Sequence, residues 1–285
     1  MTQAYIVGAV RSAGGRKNGR LSKIHPIDLG AMVVDALVEK SQVAVEDIDD
    51  LIFGCVSQVG AQSSNIARNV CLSSVLGEVV PGTTVDRQCG SGQQAMHFAA
   101  QAVLSGTQDV VIAGGVESMS QVPIGANIVD GYKAEHGLPY GERLTERYPG
   151  VQFNQFAGAE MLAKKYELTS EELNQFALDS HVKAKQAVEE GRFNDEIVPI
   201  EIELEDGTRD VHAQDEGIRM DATIGAISGL EPLQEDGLLT AANASQICDG
   251  AAAVMIANAD ACTRLGLKPL ARIVAMSVIG SDPVI

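Results

Sequence analysis

The stretch GTTVDRQCGSGQQAMHFAAQAVLSGTQDVVIAGG, residues 82–115, decides the fold. GTTVDRQ is rich in β-branched residues and reads as a strand. Ser91 to Leu104 reads as a helix. DVVIAGG is a short, fully apolar run that ends in a glycine pair, which predicts a buried strand. A strand without polar alternation belongs in a sheet covered on both faces, so the stretch is a βαβ unit of an α/β domain.

The same rhythm continues upstream. AYIVGAVRS predicts a strand that runs into a glycine-rich loop, Gly14 to Gly19. HPIDLGAMVVDALVEKS predicts a helix with Leu29, Met32, Val33, Ala36 and Leu37 near one face and Asp35, Glu39 and Lys40 away from it. DLIFGCVSQ is the next strand, and SNIARNVCLSSVLG is a second helix stopped by Gly77. This β-α-β-α-β order predicts parallel strands with helices packed on the sheet.

From residue 118 to about 235 the rhythm is lost, and Gly, Pro and charge increase. The clearest helix of the chain lies here, with capping-box spacing at Thr169 and Glu172 and an apolar face of Leu173, Phe176, Ala177, Ala184, Ala187 and Val188. Gly191 ends it. VPIEIEL alternates apolar and acidic residues as a half-buried strand does. Downstream, AAAVMIA predicts a buried strand, Asn258 or Asp260 caps a short helix ended by Gly266, and PLARIVAMSVIG is strand-like. The expected domains are therefore 1–117 with 241–270, an inserted α+β loop domain at 118–240, and a separate first strand at 271–285.

The chain has 285 residues, room for about two domains. Its apolar content is 45%, but aromatics are only 4% and Trp is absent, so the core must be aliphatic. A formal net charge of −17 argues against nucleic acid and against anionic membranes. It leaves room for a phosphate-bearing small ligand held by local cations and helix N-termini. No apolar run is long enough to span a membrane, and the start lacks signal-peptide character, which predicts a cytoplasmic protein. Five cysteines, at 55, 71, 89, 248 and 262, form no C-x-x-C pair, and the five histidines are scattered. Neither a disulfide framework nor a metal site is expected.

Cys89 stands where a strand gives way to a helix. Unpaired backbone N–H groups and the positive end of the helix dipole favour a thiolate there and offer an oxyanion hole. Gly90 and Gly92 let a ligand approach closely. Position alone fits a small buried spacer better than a nucleophile. The other cysteines lie in apolar or loop contexts, with Cys248 in a glycine-rich turn. A nucleophilic cysteine needs a base. His97 follows on the same helix, roughly 12 Å along a continuous axis, and is read as a packing or surface residue. His25, His136, His181 and His212 carry no context that marks a base. AGGVESMSQVP, from Ala113, places a glycine pair and Glu117 at a strand end, where α/β proteins bind ligands. It reads equally as a tight loop with a paired acid. TAANASQICDG lines a narrow groove or forms a tight turn.

These stretches together resemble the thiolase family. VDRQCGSGQQA is similar to its nucleophile motif, AGGVESMSQVP to its glycine-glycine-glutamate-serine-methionine segment, and GAVRSAGGRKNGRL to its start. GRFNDEIVPI and LTAANASQICDGAAAVM match two further stretches, so the matches run in order along essentially the whole chain. The resemblance implies a thiolase-like fold and an acyl-CoA C-acyltransferase. Cys89 would be the nucleophile that holds the acyl group as a thioester in ping-pong transfer. In the degradative direction, as in fatty acid β-oxidation, 3-oxoacyl-CoA would give acetyl-CoA and a shortened acyl-CoA. It implies coenzyme A as substrate with no tightly bound cofactor, and a homodimer or homotetramer. Arg219, in DEGIRMDAT, would be the cation near the CoA nucleotide, Ser245, in NASQ, a pantetheine contact, and Asn154 a third substrate contact.

Two departures stand out. Gln93 and Gln94 follow the Cys-x-Ser-Gly motif, and Asn154 stands where biosynthetic relatives carry a histidine, which is closer to thiolases for bulky acyl or steroid side chains. The family's second half, with its Asn-Glu-Ala-Phe segment, Gly-His-Pro histidine and Cys-x-Gly-Gly cysteine, has no counterpart in these residues. The resemblance thus implies a missing C-terminal repeat, supplied by a second chain or absent here, and exposed apolar helix surface that promotes association. A non-catalytic, thiolase-like protein that binds CoA or a partner is the alternative, and a ketoacyl synthase of the same fold is a more distant one.

Overall fold

The computed structural model describes residues 3–151, 153–204 and 206–285. The chain divides into two compact units. The first comprises Met1–Asp130, Asn194–Glu216 and Ile247–Met276, and the second Gly131–Phe193, Gly217–Gln246 and Ser277–Ile285. The strands are β1 (Ala4–Ser12), β2 (Gly15–Arg16), β3 (Asp50–Gly54), β4 (Gly82–Val85), β5 (Val110–Ser118), β6 (Ile197–Val198), β7 (Ile200–Glu203), β8 (Arg209–His212), β9 (Cys248–Asn258) and β10 (Ala271–Arg272). The helices are α1 (Pro26–Ser41), α2 (Ile66–Ser73), α3 (Ser91–Ser105), α4 (Ala126–Lys133), α5 (Glu142–Arg147), α6 (Gln155–Lys165), α7 (Ser170–Glu189), α8 (Ile224–Ser228) and α9 (Ala259–Leu265).

The first unit is built on one mixed sheet with the order β10-β1-β9-β5-β3-β4. β3 pairs parallel with β4 and with β5, as the sequence rhythm predicts. β9 corrects the all-parallel expectation: it lies antiparallel between β1 and β5. The reason is where the chain returns. Ser118 at the end of β5 faces Asp249 at the start of β9, so the strand enters at the end the chain had left. No crossover carries it back to the other end, and it must run the opposite way. An apolar run such as AAAVMIA carries no sign of direction.

The two sheet faces are covered separately. Leu29, Val33, Val34 and Leu37 of α1 and Ile66 and Val70 of α2 pack with Leu51, Phe53, Val110, Ile112 and Met255. Ala95, Ala99, Ala100 and Val103 of α3 pack with Ile52, Val111, Ala113 and Ile256. Successive residues of β3 and β5 thus enter opposite cores, as the two-residue period of a strand dictates. Met32, expected on the buried face of α1, is 38% exposed, while Val34 and Val38 are buried. The stripe is rotated toward α2.

Residues 194–216 were expected within a single insertion at 118–240, but they pack with the first unit. β7 alternates buried and exposed residues as read, and its buried pair, Ile200 and Ile202, enters the α1–α2 core. Ion pairs fix the same segment to β1 and its loop. Arg11 Nε donates to Glu196 at 2.7 Å, and its two terminal nitrogens grip Asp215 at 2.7 and 3.0 Å. Asp215 also accepts the Gly14 N–H at 2.6 Å. PLARIVAMSVIG, expected as a full strand, pairs with β1 only at Ala271–Arg272.

Burial raises the Asp215 pKa, but the Arg11 hydrogen bonds and the Gly14 N–H outweigh it, and the carboxyl is held below its ordinary value. A depressed folded pKa means that the stabilisation is complete above the unfolded pKa of about 3.9 and is lost as pH falls through the folded value. Asp215→Asn is expected to cost about 2 kcal/mol at neutral pH, since it leaves a half-buried Arg11 pair broken. Urea titrations of both proteins check this, and the gap should close as pH drops below about 4.

In the second unit the capping box of α7 is complete: the Thr169 side chain accepts the Glu172 N–H, and the Glu172 carboxylate accepts the Thr169 N–H at 2.8 Å. Ala177 and Ala187 are buried, but Phe176 is 76% exposed and does not belong to the buried face. The buried stripe is completed by Asn174, which a reading of apolar spacing alone passes over.

Candidate active site

The turn that carries Cys89 is fixed by the backbone on both sides. Asp86 Oδ1 accepts the Gln88 N–H at 2.7 Å. Gln88 takes the left-handed conformation, with φ 48°, which sharpens the turn. Gly90 N–H donates to Arg87 O at 3.0 Å, and Ser91 N–H to Gln88 O at 3.0 Å. The Ser91 hydroxyl, nearly buried, accepts the Arg87 N–H at 2.8 Å and donates to Gln88 O at 2.5 Å. Cys89 is exposed on this turn, which settles the choice between an accessible thiol and a buried spacer in favour of the first.

Helix α3 starts immediately after it. Gly90 is the N-cap and supplies no side-chain cap. Among the described residues, the N–H groups of Gly92 and Gln93 meet no acceptor, so the first turn presents free donors next to Cys89. Those donors and the helix dipole are what a thiolate, or the oxyanion formed when it attacks a carbonyl, requires.

The other thiols differ. Cys55, Cys71 and Cys262 are buried. Burial and the neighbouring Glu117 carboxylate push the Cys55 thiol far up, and burial pushes Cys71 to about 11. Cys248 is accessible, yet its packed surroundings with Asp249 and Glu117 also raise it. In all four the surroundings disfavour the thiolate, the reactive form.

No hydrogen bond joins a histidine to Cys89 among the described residues. His25 caps α1 by accepting the Ile27 N–H, and buried His212 bonds Ala13 O through Nε2 at 3.1 Å. His97 is part-buried within α3, His136 is exposed, and His181 Nδ1 accepts the Arg219 N–H at 3.2 Å.

Glu117 is a paired acid. Its carboxylate accepts the N–H groups of Val56 at 2.8 Å and Ser57 at 3.1 Å, and the Gln62 amide at 2.8 Å. Asp249, fully buried, accepts from the Ser120 N–H at 2.8 Å and the Ser120 hydroxyl at 2.6 Å. The two acids stitch the 117–120 segment to the ends of β3 and β9. Sequence reasoning missed Gln62 and Asp249; an isolated Gln or Asp carries no spacing signal.

The remaining predicted residues lie in the second unit. Arg219 borders a cleft of about 280 Å³ with His181, Lys185, Glu189 and Met220. His181, Lys185 and Glu189 recur every four residues on α7, a polar stripe that the apolar reading of that helix had left aside. Ser245 is exposed in an irregular loop. The next residue, Gln246, donates to Gly217 O at 2.8 Å and so ties the Ser245 loop to the segment that carries Arg219. Asn154 caps α6 by accepting the Phe156 and Ala157 N–H groups at 2.9 and 3.3 Å. Its side-chain oxygen is thus occupied by the helix.

The family model described as the thiolase N-terminal domain matches residues 4–260. The chain belongs to the thiolase family. It is 45% identical to a steroid 3-ketoacyl-CoA thiolase of Mycobacterium tuberculosis over all of this chain and 69% of that protein. A 3-ketoacyl-CoA thiolase of Bacillus subtilis is 38% identical over 99% of this chain and 73% of its own length. The crystal structure of an acetyl-CoA acetyltransferase of Bacillus anthracis superposes with a TM-score of 0.87 at 36% identity, covering 99% of this chain and 72% of that one. The match to the thiolase N-terminal domain spans the exposed turn that carries Cys89. No described helix of this thiolase-family chain is long and apolar enough to cross a membrane.

Proposed function

We propose that the protein is an acyl-CoA C-acyltransferase that acts through a Cys89 thioester. The observation that carries this reading is the exposed cysteine turn against the start of α3, which has no side-chain cap. The relatives named as 3-ketoacyl-CoA thiolases and an acetyl-CoA acetyltransferase support it.

In the degradative direction the Cys89 thiolate attacks the 3-oxo carbonyl of a 3-oxoacyl-CoA. The N–H groups at the start of α3 stabilise the oxyanion. The C2–C3 bond breaks, its electron pair leaves on acetyl-CoA as the enolate, and that carbon takes up a proton. The shortened acyl group stays on Cys89. The thiol of free CoA then attacks the thioester and takes the acyl group onto its own sulfur; its proton goes to solvent, replacing the one the enolate carbon took up, and Cys89 leaves as the thiolate. The similarity to a steroid thiolase, with Gln93 and Gln94 after the motif, supports bulky acyl groups over acetoacetyl as the preferred load.

Arg219 and Lys185 supply positive charge at the cleft for the nucleotide phosphates of CoA, against a chain of net charge −17. Ser245 is the proposed pantetheine contact, and Asn154, whose oxygen caps α6, offers its side-chain NH2 as the third substrate contact. A homodimer or homotetramer in the cytoplasm completes the reading; sedimentation velocity measures the first directly.

Intact-mass spectrometry after incubation with a bulky acyl-CoA tests the proposal. The expected result is a mass gain of one acyl group, mapped to the peptide containing Cys89 and removed by added CoA. No acyl gain, or a gain on another residue, overturns it. Arg219→Glu is expected to raise the half-saturating concentration of the acyl-CoA about tenfold or more while leaving that of an acyl-pantetheine unchanged, as loss of one charged phosphate contact would do.

A further inference from the structure

We propose that Glu117 is a positioning residue for acyl transfer, which sets the Cys89 turn through the end of β3. This rests on the Cys89 reading above. The half-buried carboxylate has three donors, two of them the consecutive backbone N–H groups of Val56 and Ser57. The third, the amide of fully buried Gln62, also donates to Ser57 O at 3.0 Å, while its oxygen accepts the Ser118 N–H at 2.6 Å. Glu117 and Gln62 thus lock the loop after β3 to the end of β5.

That loop touches the nucleophile turn at both ends. On one side Cys55 N–H donates to Val85 O at 3.1 Å, at the last residue of β4 before the turn. On the other side Gly54 lies against the backbone where α3 begins: a Cβ there would stand 2.4 Å from the Ser91 carbonyl carbon and 2.5 Å from the Gly92 nitrogen. A shift of residues 54–57 therefore moves Val85 and Gly92 relative to one another, and with them Cys89 and the free N–H groups. An amide in place of the carboxylate has one acceptor oxygen for three donors, and its NH2 would face an N–H. Glu117→Gln keeps the shape and removes the clamp.

The experiment uses the intact chain with Glu117→Gln, and with Glu117→Asp as a second, milder variant that keeps the charge. Hydrogen exchange read by mass spectrometry is followed in peptides covering 54–58, 85–95 and, as a control, 26–41. Glu117→Gln should speed exchange about tenfold in both 54–58 and 85–95 and leave 26–41 unchanged. The limiting rate of Cys89 acylation should fall about 10- to 100-fold, the loss expected of a roughly 1 Å misplacement, with the half-saturating acyl-CoA within about threefold. Alkylation of Cys89 by iodoacetamide, which needs access but not alignment, should change by less than about threefold. Glu117→Asp should move each quantity in the same direction by less. Faster exchange confined to 54–58, or spread to 26–41, would overturn the proposal, as would an unchanged acylation rate beside faster exchange at 85–95. If the wild type takes up no acyl group, the acyl-transfer reading falls by itself, and exchange at 85–95 still decides whether Glu117 sets the turn.

Discussion

Replacement of Cys89 by Ala is expected to lower the rate of acyl uptake from acyl-CoA by about 10⁴-fold or more, on the order of 5–6 kcal/mol of lost transition-state stabilisation. No neighbouring group can take over. Cys55, Cys71 and Cys262 are buried, and burial disfavours their thiolates. Cys248 is accessible, but partial burial of its thiol, with Asp249 and Glu117 nearby, raises its pKa and disfavours the thiolate. Cys89→Ser tests the chemistry more finely. A hydroxyl fits the same turn and keeps the free N–H groups of α3, yet it holds its proton far more tightly than a thiol. It should lose nearly as much rate as Ala while the half-saturating acyl-CoA stays within a few-fold, because the proposed CoA contacts at Arg219 and Ser245 are separate residues. Intact-mass time courses measure both variants. An acyl adduct forming at the wild-type rate in Cys89→Ala would refute the assignment of the nucleophile. In the same experiment iodoacetamide should label Cys89 first in the wild type and leave Cys55, Cys71 and Cys262 unmodified in the folded protein.

Most of the first unit was legible because its elements are marked by strong local signals. The apolar run before Gly114, the helical stretch from Ser91 and the glycine stop at Gly266 each point to one local structure, and β5, α3 and α9 form there, whereas α2 ends at Ser73 with Ser74 as its C-cap, short of the expected stop at Gly77. What local pattern cannot carry is pairing direction and partner. β9 reads the same whether parallel or antiparallel, and only the return of the chain beside Ser118 fixes it. Likewise VPIEIEL showed its half-buried period, but nothing in it says that Ile200 and Ile202 belong to the α1–α2 core rather than to the insertion. At the site the cysteine was legible from its strand-to-helix position. Glu117 stood out at a strand end, but its partners did not, because Val56, Ser57 and Gln62 lie 55 to 61 residues away, and Asp249 meets Ser120 across 129. Phe176 shows the reverse error: helical spacing placed it on the buried face, whereas polar Asn174 fills that stripe.

The turn also makes a prediction about packing, the largest expected for stability. Gly54→Ala should destabilise the folded protein by about 3 kcal/mol and lower the melting temperature by roughly 6–12 °C. A β-carbon at residue 54 meets only main chain: the Ser91 carbonyl carbon at 2.4 Å, the Gly92 nitrogen at 2.5 Å and the Ser91 oxygen at 2.7 Å. No side-chain rotamer can relieve these contacts, so β3 or the start of α3 must move. The neighbouring strand offers no slack, since a β-carbon on Gly114 would stand 2.0 Å from Ala252 O. The absence of side chains at 54 and 114 is therefore what lets α3 settle onto the sheet and bring its first N–H groups beside Cys89. Gly92 gives the contrast. A β-carbon there meets only Gly114 O, at 3.8 Å, an ordinary contact. Gly92→Ala should change stability by less than about 1 kcal/mol, with helix propensity acting in its favour. Whatever it does to acyl transfer must then come from crowding the approach to Cys89 rather than from the fold. Thermal melts of the two variants, read beside their acylation rates, separate these effects. Gly54→Ala should lose stability and rate together, and Gly92→Ala rate alone. Equal melting temperatures for Gly54→Ala and the wild type would mean that β3 and α3 are not in backbone contact, and the route by which Glu117 reaches Cys89 would be lost with that contact.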